Sequence, residues 1–326
     1  MPDATSPKTL LDAVRHFSDL GVCHAHMIRL KWPDGRIVCP KCGGDKVGAI
    51  ASRRMMQCKA KECRKQFSAK VGTIFEDSPL PLSSWFVAVW AIANAKNGIS
   101  SCELARALGV TQKTAWFMLH RIRLAMKTET FRKLTGEVEI DETFIGGKAK
   151  NMHKSRREKV IQGRGAVGKT VVLGALERGN AAEKKPSQVV ATVVPSTDAQ
   201  SLIPEIVRTV DKSATVYTDA SQSYSALALT HLREFIDHAT TYVSGRVHIN
   251  GLENFWSCLK RTLKGTYIRA TPFHLFRYLD EQVFRFNHRK KDDAGRFDLV
   301  MKTVLGRRLT FRELCAIDGA GFMGIA

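Results

Sequence analysis

The chain has 326 residues, 44% hydrophobic and 25% charged, which is material for two or three buried cores and excludes a chain disordered throughout. Lysine and arginine number 51 against 31 acids, a formal charge of +20, and this favours a polyanionic partner because phosphate contacts release condensed counterions. The most apolar run, Trp85 to Ala93, is far short of the roughly 20 residues that span a bilayer, and Met1 to Lys8 does not open an export signal. A cytoplasmic protein with no membrane partner is expected.

Residues 1–34 predict a helical lead-in, with Leu10, Leu11, Val14 and Phe17 at helical spacing and a turn at Pro33-Asp34-Gly35. Residues 35–76 predict short strands around Cys39-Pro-Lys-Cys42, Cys58 and Cys63. Two thiolate pairs separated by a hairpin supply the four soft ligands of a tetrahedral zinc site, a zinc ribbon. One structural Zn²⁺ is expected, since four protein ligands leave no position for water. Gly43-Gly44 lets the chain bend back toward the metal. The other cysteines (Cys23, Cys102, Cys258, Cys315) are scattered; reduced, unpaired thiols are the alternative for the cluster. Residues 39–70 hold nine Lys or Arg and two acids, which offsets thiolate charge and suits DNA.

Residues 80–130 read as helical. Ser100 with Glu103 forms a capping box, and Leu104, Ala105 and Leu108 mark an apolar face. Gly109 breaks the helix, Val110 packs in the turn and Thr111 caps the next helix. That helix presents Gln112, Lys113 and Thr114 in its first turn and turns Ala115, Leu119 and Ile122 inward. A helix-turn-helix that reads a DNA major groove has this pattern, as does any small antiparallel helix pair.

Gly163-Arg-Gly-Ala-Val-Gly168-Lys169-Thr170 matches a phosphate loop, whose amides must open a helix after a buried strand. A basic run precedes it and β-branched Val171-Val172 follows, so a flexible basic loop entering a strand is expected, with no nucleotide cofactor. Lys148 to Lys169 carries eight Lys or Arg and one Glu. Strand-end Asp219 keeps a nucleotide-hydrolysing motor as a rival.

Residues 136–290 predict a mixed α/β domain. Val138, Ile140 and Phe144 mark a strand carrying Asp141 beside Glu142; Val171–Leu176 and Val189–Val194 extend it as an antiparallel meander. Thr197 with Gln200 caps a helix to about Val210, Ala214–Thr218 forms a strand ending at Asp219, and a long helix starting near Asn250 carries Glu253. This order is that of an RNase H-like sheet, in which adjacent strands would bring Asp141 and Asp219 together and the helix could deliver Glu253. Hard divalent cations such as Mg²⁺ take carboxylate oxygens, and two of them stabilise the attacking and leaving oxygens of phosphoryl transfer. Glu253 and Lys260 lie two turns apart on one helical face. Residues 291–326 predict a helical extension, completing an α+β multidomain chain.

Cys39-x-x-Cys42…Cys58…Cys63, Val138-Glu-Ile-Asp141-Glu-Thr-Phe144-Ile-Gly-Gly147, Gly163-Arg-Gly, Gly168-Lys169, Val216-Tyr-Thr-Asp219 and His248-Ile-Asn250-Gly-Leu-Glu253-Asn-Phe-Trp256-Ser-Cys-Leu-Lys260-Arg261 carry a resemblance over about residues 10–310. The chain resembles bacterial insertion-sequence transposases of the DDE superfamily, in the zinc-ribbon-bearing ISXO-type group. The resemblance implies an RNase H-like fold, Mg²⁺ (or Mn²⁺) dependence, and cleavage of element ends to 3′-hydroxyls that attack target DNA directly. It implies Asp141, Asp219 and Glu253 as catalytic, magnesium-binding acids and Lys260 as the basic residue seven beyond. Some members place Asn in the third role, and Asn250 lies one turn from Glu253; the charged Glu253 is favoured. His248, Asn250, Lys260 and Arg261 join Gln112, Lys113 and Thr114 as DNA-binding residues. Glu281, Arg285 and His288 share a helical face, where the related pattern more often has Arg at position 288. Double-stranded DNA at element ends and target, a homo-oligomer on it, and a bacterial, nucleoid-associated location follow. A zinc-ribbon transcription regulator without chemistry is the alternative.

Overall fold

The computed structural model describes residues 7–127, 132–147, 154, 168–180, 182–229, 231–236, 248–268 and 270–316. The chain divides into two compact units, Met1–Lys127 with Lys291–Ala326, and Thr128–Lys290. Of the basic loop expected over Lys148–Lys169, only Lys154, Gly168 and Lys169 fall within the described residues.

In the first unit, Thr9 and Asp12 form a capping box that starts helix α1 (Leu10–Ser18), and Asp19 caps α2 (Leu20–Lys31) by accepting from the Gly21 amide at 2.6 Å. The lead-in is helical, but its inward face differs from the expected one. Ala13 and Phe17 are buried, whereas Leu10, Leu11 and Val14 are exposed. The aromatic ring decides the rotation: Phe17 stacks on Phe297 at 5.1 Å and meets Phe86 edge-on at 5.2 Å. After a turn that ends at Gly35 (φ +75°), strands β1 (Val47–Ile50), β2 (Met55–Cys58) and β3 (Gln66–Phe67) form an antiparallel sheet in that order.

Helices α3 (Leu82–Asn94), α4 (Ser101–Leu108) and α5 (Gln112–Met126) follow. Trp85, Phe86, Val89, Trp90 and Ile92 are all buried, so α3 is apolar nearly all round and needs other helices about it; α1, α2 and α5 supply them. No described helix is long and apolar enough to cross a membrane. Ser100 and Glu103 make the expected capping box, Gly109 ends α4 at φ +66°, and Thr111 caps α5 through the Thr114 amide at 3.1 Å. Leu104, Ala105, Ala115, Leu119 and Ile122 are buried and Leu108 is half-buried.

The second unit is built on a five-stranded sheet: β4 (Glu137–Ile145), β5 (Thr170–Glu177), β6 (Gln188–Val194), β7 (Thr215–Asp219) and β8 (Leu232–Ile236), in spatial order β6-β5-β4-β7-β8. β4, β5 and β6 are an antiparallel meander; β7 runs parallel to β4, and β8 parallel to β7. Because Gly168-Lys169 leads into β5, the phosphate-loop pattern lacks the helix whose amides would face phosphates. β8 is an addition to the expected strands. Its Leu232 and Phe235 are exposed and three residues apart, so it lacks the period-two pattern of a half-buried strand.

Helix α6 (Ala199–Thr209) is capped by Asp198, which accepts from the Ser201 amide at 2.8 Å. The cap thus sits one residue beyond the expected Thr197, since the Asp198 carboxylate takes the amide three residues on. Alternation along the strands separates two cores. Val138, Ile140, Leu173 and Ala175 pack with Leu202, Ile206 and Tyr224 on one face. On the other, Val172, Leu176 and Val189 pack under α7 (Asn250–Thr262) and α8 (Leu275–Asn287). The Asn287 side-chain amide accepts from the Val189 N–H at 2.8 Å and donates to its carbonyl at 2.9 Å, covering strand β6 as a neighbouring strand would. Helices α9 (Asp293–Lys302) and α10 (Phe311–Cys315) belong to the first unit, where α9 packs against α3.

A four-cysteine centre and a carboxylate cluster

The ribbon gathers its cysteines from the Cys39–Cys42 turn, the end of β2 and the β2–β3 connection. Cys39 and Cys63 sulfurs are 3.7 Å apart, Cys42 and Cys58 sulfurs 3.6 Å, and all four lie within 4.8 Å of one another. An ion with four Zn–S bonds of about 2.3 Å spaces its ligands by about 3.8 Å, so these residues fit a structural zinc. Burial opposes ionisation of Cys39, yet amides of Cys42 and Lys41 together with the neighbouring thiols bring its pKa down to about 7. At Cys58 the Ala60 amide favours the thiolate, but burial and the other cysteines outweigh it and push the thiol up to about 12. Four thiolates this close require a cation among them.

On the mixed sheet, the parallel β4–β7 ladder ends at Glu139 paired with Tyr217; Asp141 and Asp219 lie two residues further along each strand, near enough for the Asp219 charge to act on Asp141. Burial, then the charges of Glu142 and Asp219, raise the Asp141 pKa to about 7, against the lowering effect of the Trp256 hydrogen bond. The Trp256 Nε1–H donates to Asp141 Oδ2 at 2.9 Å. Glu142 alternates to the other face, where the Tyr224 hydroxyl donates to it; burial chiefly and Asp219 secondly raise its pKa. Asp219 Oδ1 accepts from the Ser221 amide at 3.0 Å, and the Arg233 guanidinium donates to the Asp219 carbonyl at 3.1 Å. Asp141 and Asp219 are thus half-buried acids on adjacent strands, with Glu142 turned to the opposite face of the sheet.

Helix α7 lies over Asp141 and Gly174, and Glu139 receives its N-terminal end. The Glu139 carboxylate, 1% exposed, accepts from the Leu252 amide at 2.9 Å and from Arg178 at 2.8 Å. Arg178 in turn donates to the His248 carbonyl at 2.6 Å and lies 4.3 Å from the Tyr217 ring. Glu253 and Asn250 are exposed in the first turn, Lys260 is half-buried and Arg261 exposed two turns along. Among the described residues, only the four cysteines form a group of three or more ligands within 4.8 Å of one another, so Asp141, Asp219 and Glu253 do not all gather that closely. His248 is half-buried, its Nδ1 3.0 Å from Arg178.

In the first unit, Gln112 donates to the Ser101 hydroxyl at 2.7 Å, the Lys113 ammonium sits 4.7 Å from the Phe311 ring, and Thr114 and Thr111 hydroxyls are 2.8 Å apart. Glu281 and Arg285 are buried partners, with Tyr267 donating to Glu281 and Arg285 to Gln282 at 3.0 Å; the His288 ring lies 4.7 Å from Phe284. Sequence reading passes over Glu139, Arg178 and Tyr224. Glu139 had a signal: two residues before Asp141 on a strand, it shares that face.

Residues 133–287 match the family model of the ISXO2-like transposase domain, and residues 21–66 that of the transposase zinc-ribbon domain. A protein of transposable element ISH50 from Halobacterium salinarum is 29% identical, over 79% of this chain and 90% of its own length. A transposase-like protein of Haemophilus influenzae is 37% identical, over 31% of this chain and 82% of its own. With a zinc-ribbon unit ahead of a mixed α/β transposase domain, this chain belongs to the ISXO2-like insertion-sequence transposases.

Proposed function

We propose that the protein is an end-specific DNA transposase that hydrolyses phosphodiester bonds at the ends of its element and transfers the freed 3′-hydroxyls to target DNA. The observation that carries this reading is that Asp141 and Asp219 stand two residues beyond the last paired positions of the adjacent parallel strands β4 and β7, in a five-stranded order that supports an RNase H-like assignment. Asp141 and Asp219 hold divalent metal, Mg²⁺ or Mn²⁺, with Glu253 of α7 as the third ligand and Asn250 as the rival for that role. Ions bound there would supply charge stabilisation at the attacking and departing oxygens. Glu253, exposed in the first turn of α7, would be the acid that the helix offers to such an ion.

Asn250, Lys260 and Arg261 on α7, with the part-exposed His248 two residues before it, meet DNA phosphates around the cut. Gln112, Lys113 and Thr114 at the start of α5 read the terminal repeat as a helix-turn-helix, aided by the basic ribbon. Two ends must be held at once, so the protein acts as a homo-oligomer on DNA.

The test is metal-dependent nicking of duplexes carrying the inverted repeats that flank the gene. Asp141→Asn and Asp219→Asn should bind these ends as the wild type does and lose nicking by at least about 10³-fold. Unaltered cutting by either variant refutes its assignment, and binding without any nicking by the wild type leaves a regulator.

A further inference from the structure

We infer that Trp256 is a positioning residue for Asp141: its indole N–H holds the carboxylate in the orientation that binds metal, and α7 is shaped to deliver it. The inference rests on the reading of Asp141 as a metal ligand. Trp256 is 4% exposed, and its Nε1–H is 2.9 Å from Asp141 Oδ2. A buried indole N–H needs an acceptor, and a half-buried aspartate has few rotamers that satisfy one. Across the sheet, the residue paired with Asp141 is Gly174. A Cβ there would lie 2.6 Å from Trp256 Cζ2, 2.7 Å from Cη2 and 2.9 Å from Leu252 Cδ2, so glycine leaves the room that the indole occupies.

The helix has other contacts by which it docks. Its start is held separately by Glu139, which accepts from the Leu252 amide and is backed by Arg178. Gly251 makes that approach possible, since a Cβ would stand 2.8 Å from Glu139 Oε2. With docking assigned to Glu139 and to the apolar side chains Leu252, Phe255 and Leu259, the polar bond from Trp256 has a separate role. Groups that orient metal ligands from behind commonly govern affinity by ten- to a hundred-fold. Trp256 is three residues past Glu253, so one helix carries both an acid and the group that aims the opposite acid.

The test compares full-length wild type, Trp256→Phe, Trp256→His and Asp141→Asn by Mn²⁺ binding, read by electron paramagnetic resonance, alongside thermal melting. Trp256→Phe keeps a ring and removes the donor; it should raise the half-saturating Mn²⁺ concentration by about tenfold or more. Its nicking should recover at high Mn²⁺, so the defect lies in metal half-saturation and not in maximal rate. Trp256→His returns a ring N–H and should recover part of the affinity at equal folded fraction. If Asp141→Asn weakens Mn²⁺ binding while Trp256→Phe binds as the wild type does, the inference fails. A histidine variant no better than phenylalanine overturns it as well. Undiminished binding by Asp141→Asn would instead remove the metal-ligand reading beneath it.

Discussion

Asp141 illustrates how one residue answers to two neighbourhoods. Burial and nearby carboxylates hold its pKa at about 7, well above the ordinary 3.8. The neutral acid therefore suits the metal-free fold: its contribution to stability is full below about pH 4 and is lost as pH rises through 7. Metal must displace that proton, so Mn²⁺ affinity should weaken up to about tenfold per pH unit below 7 and level off above it. Calorimetric titration at pH 6 and pH 8 measures this, and a flat profile would contradict it. Glu139 makes a different prediction. Glu139→Ala would leave the Leu252 amide and much of the Arg178 charge without their buried acceptor, at a cost of about 3 kcal/mol in denaturant unfolding. Gln at the same position, able to keep the acceptor, should cost less than half of that.

At the level of elements, α7 was legible as a long helix starting near Asn250, but its contacts were not. Leu252, Phe255, Trp256 and Leu259 form its buried stripe, and nothing local in the sequence says that this stripe lies over β4 and β5 or that Trp256 meets Asp141. Gly251→Ala should show the closeness of that fit: with its Cβ at 2.8 Å from Glu139 Oε2, it should destabilise by about 1–3 kcal/mol although alanine is the better helix former. The ribbon is the contrary case, since four cysteines in two pairs state their own geometry. Stripping zinc with a chelator, or replacing Cys58 by serine, should abolish the β1–β3 amide protection in hydrogen exchange while β4–β7 stay protected.

For the whole molecule, two units with separate cores should unfold in two calorimetric transitions, of which chelation lowers only the one belonging to the ribbon-bearing unit. The charge of +20 predicts DNA binding that weakens at least about 10³-fold between 50 and 200 mM salt, if six or more phosphates are contacted. A filter-binding series across that range checks it.

The amino-acid order alone determined what depends on near neighbours: the cysteine pairs, the Ser100–Glu103 box, the Gly109 break, and the strands carrying Asp141 and Asp219. Spacing and capping act over a few residues and can be read there. It misjudged the face of α1, the cap of α6 and the existence of β8, because in each a packed ring, a competing carboxylate or a neighbouring strand chose among options of similar local energy. Tertiary structure alone decided that Glu139 and Arg178 hold the start of α7 and that the Trp256 indole reaches Asp141 from 115 residues away. Burial makes such pairs matter, since a polar group removed from water must find its partner wherever the fold has placed one.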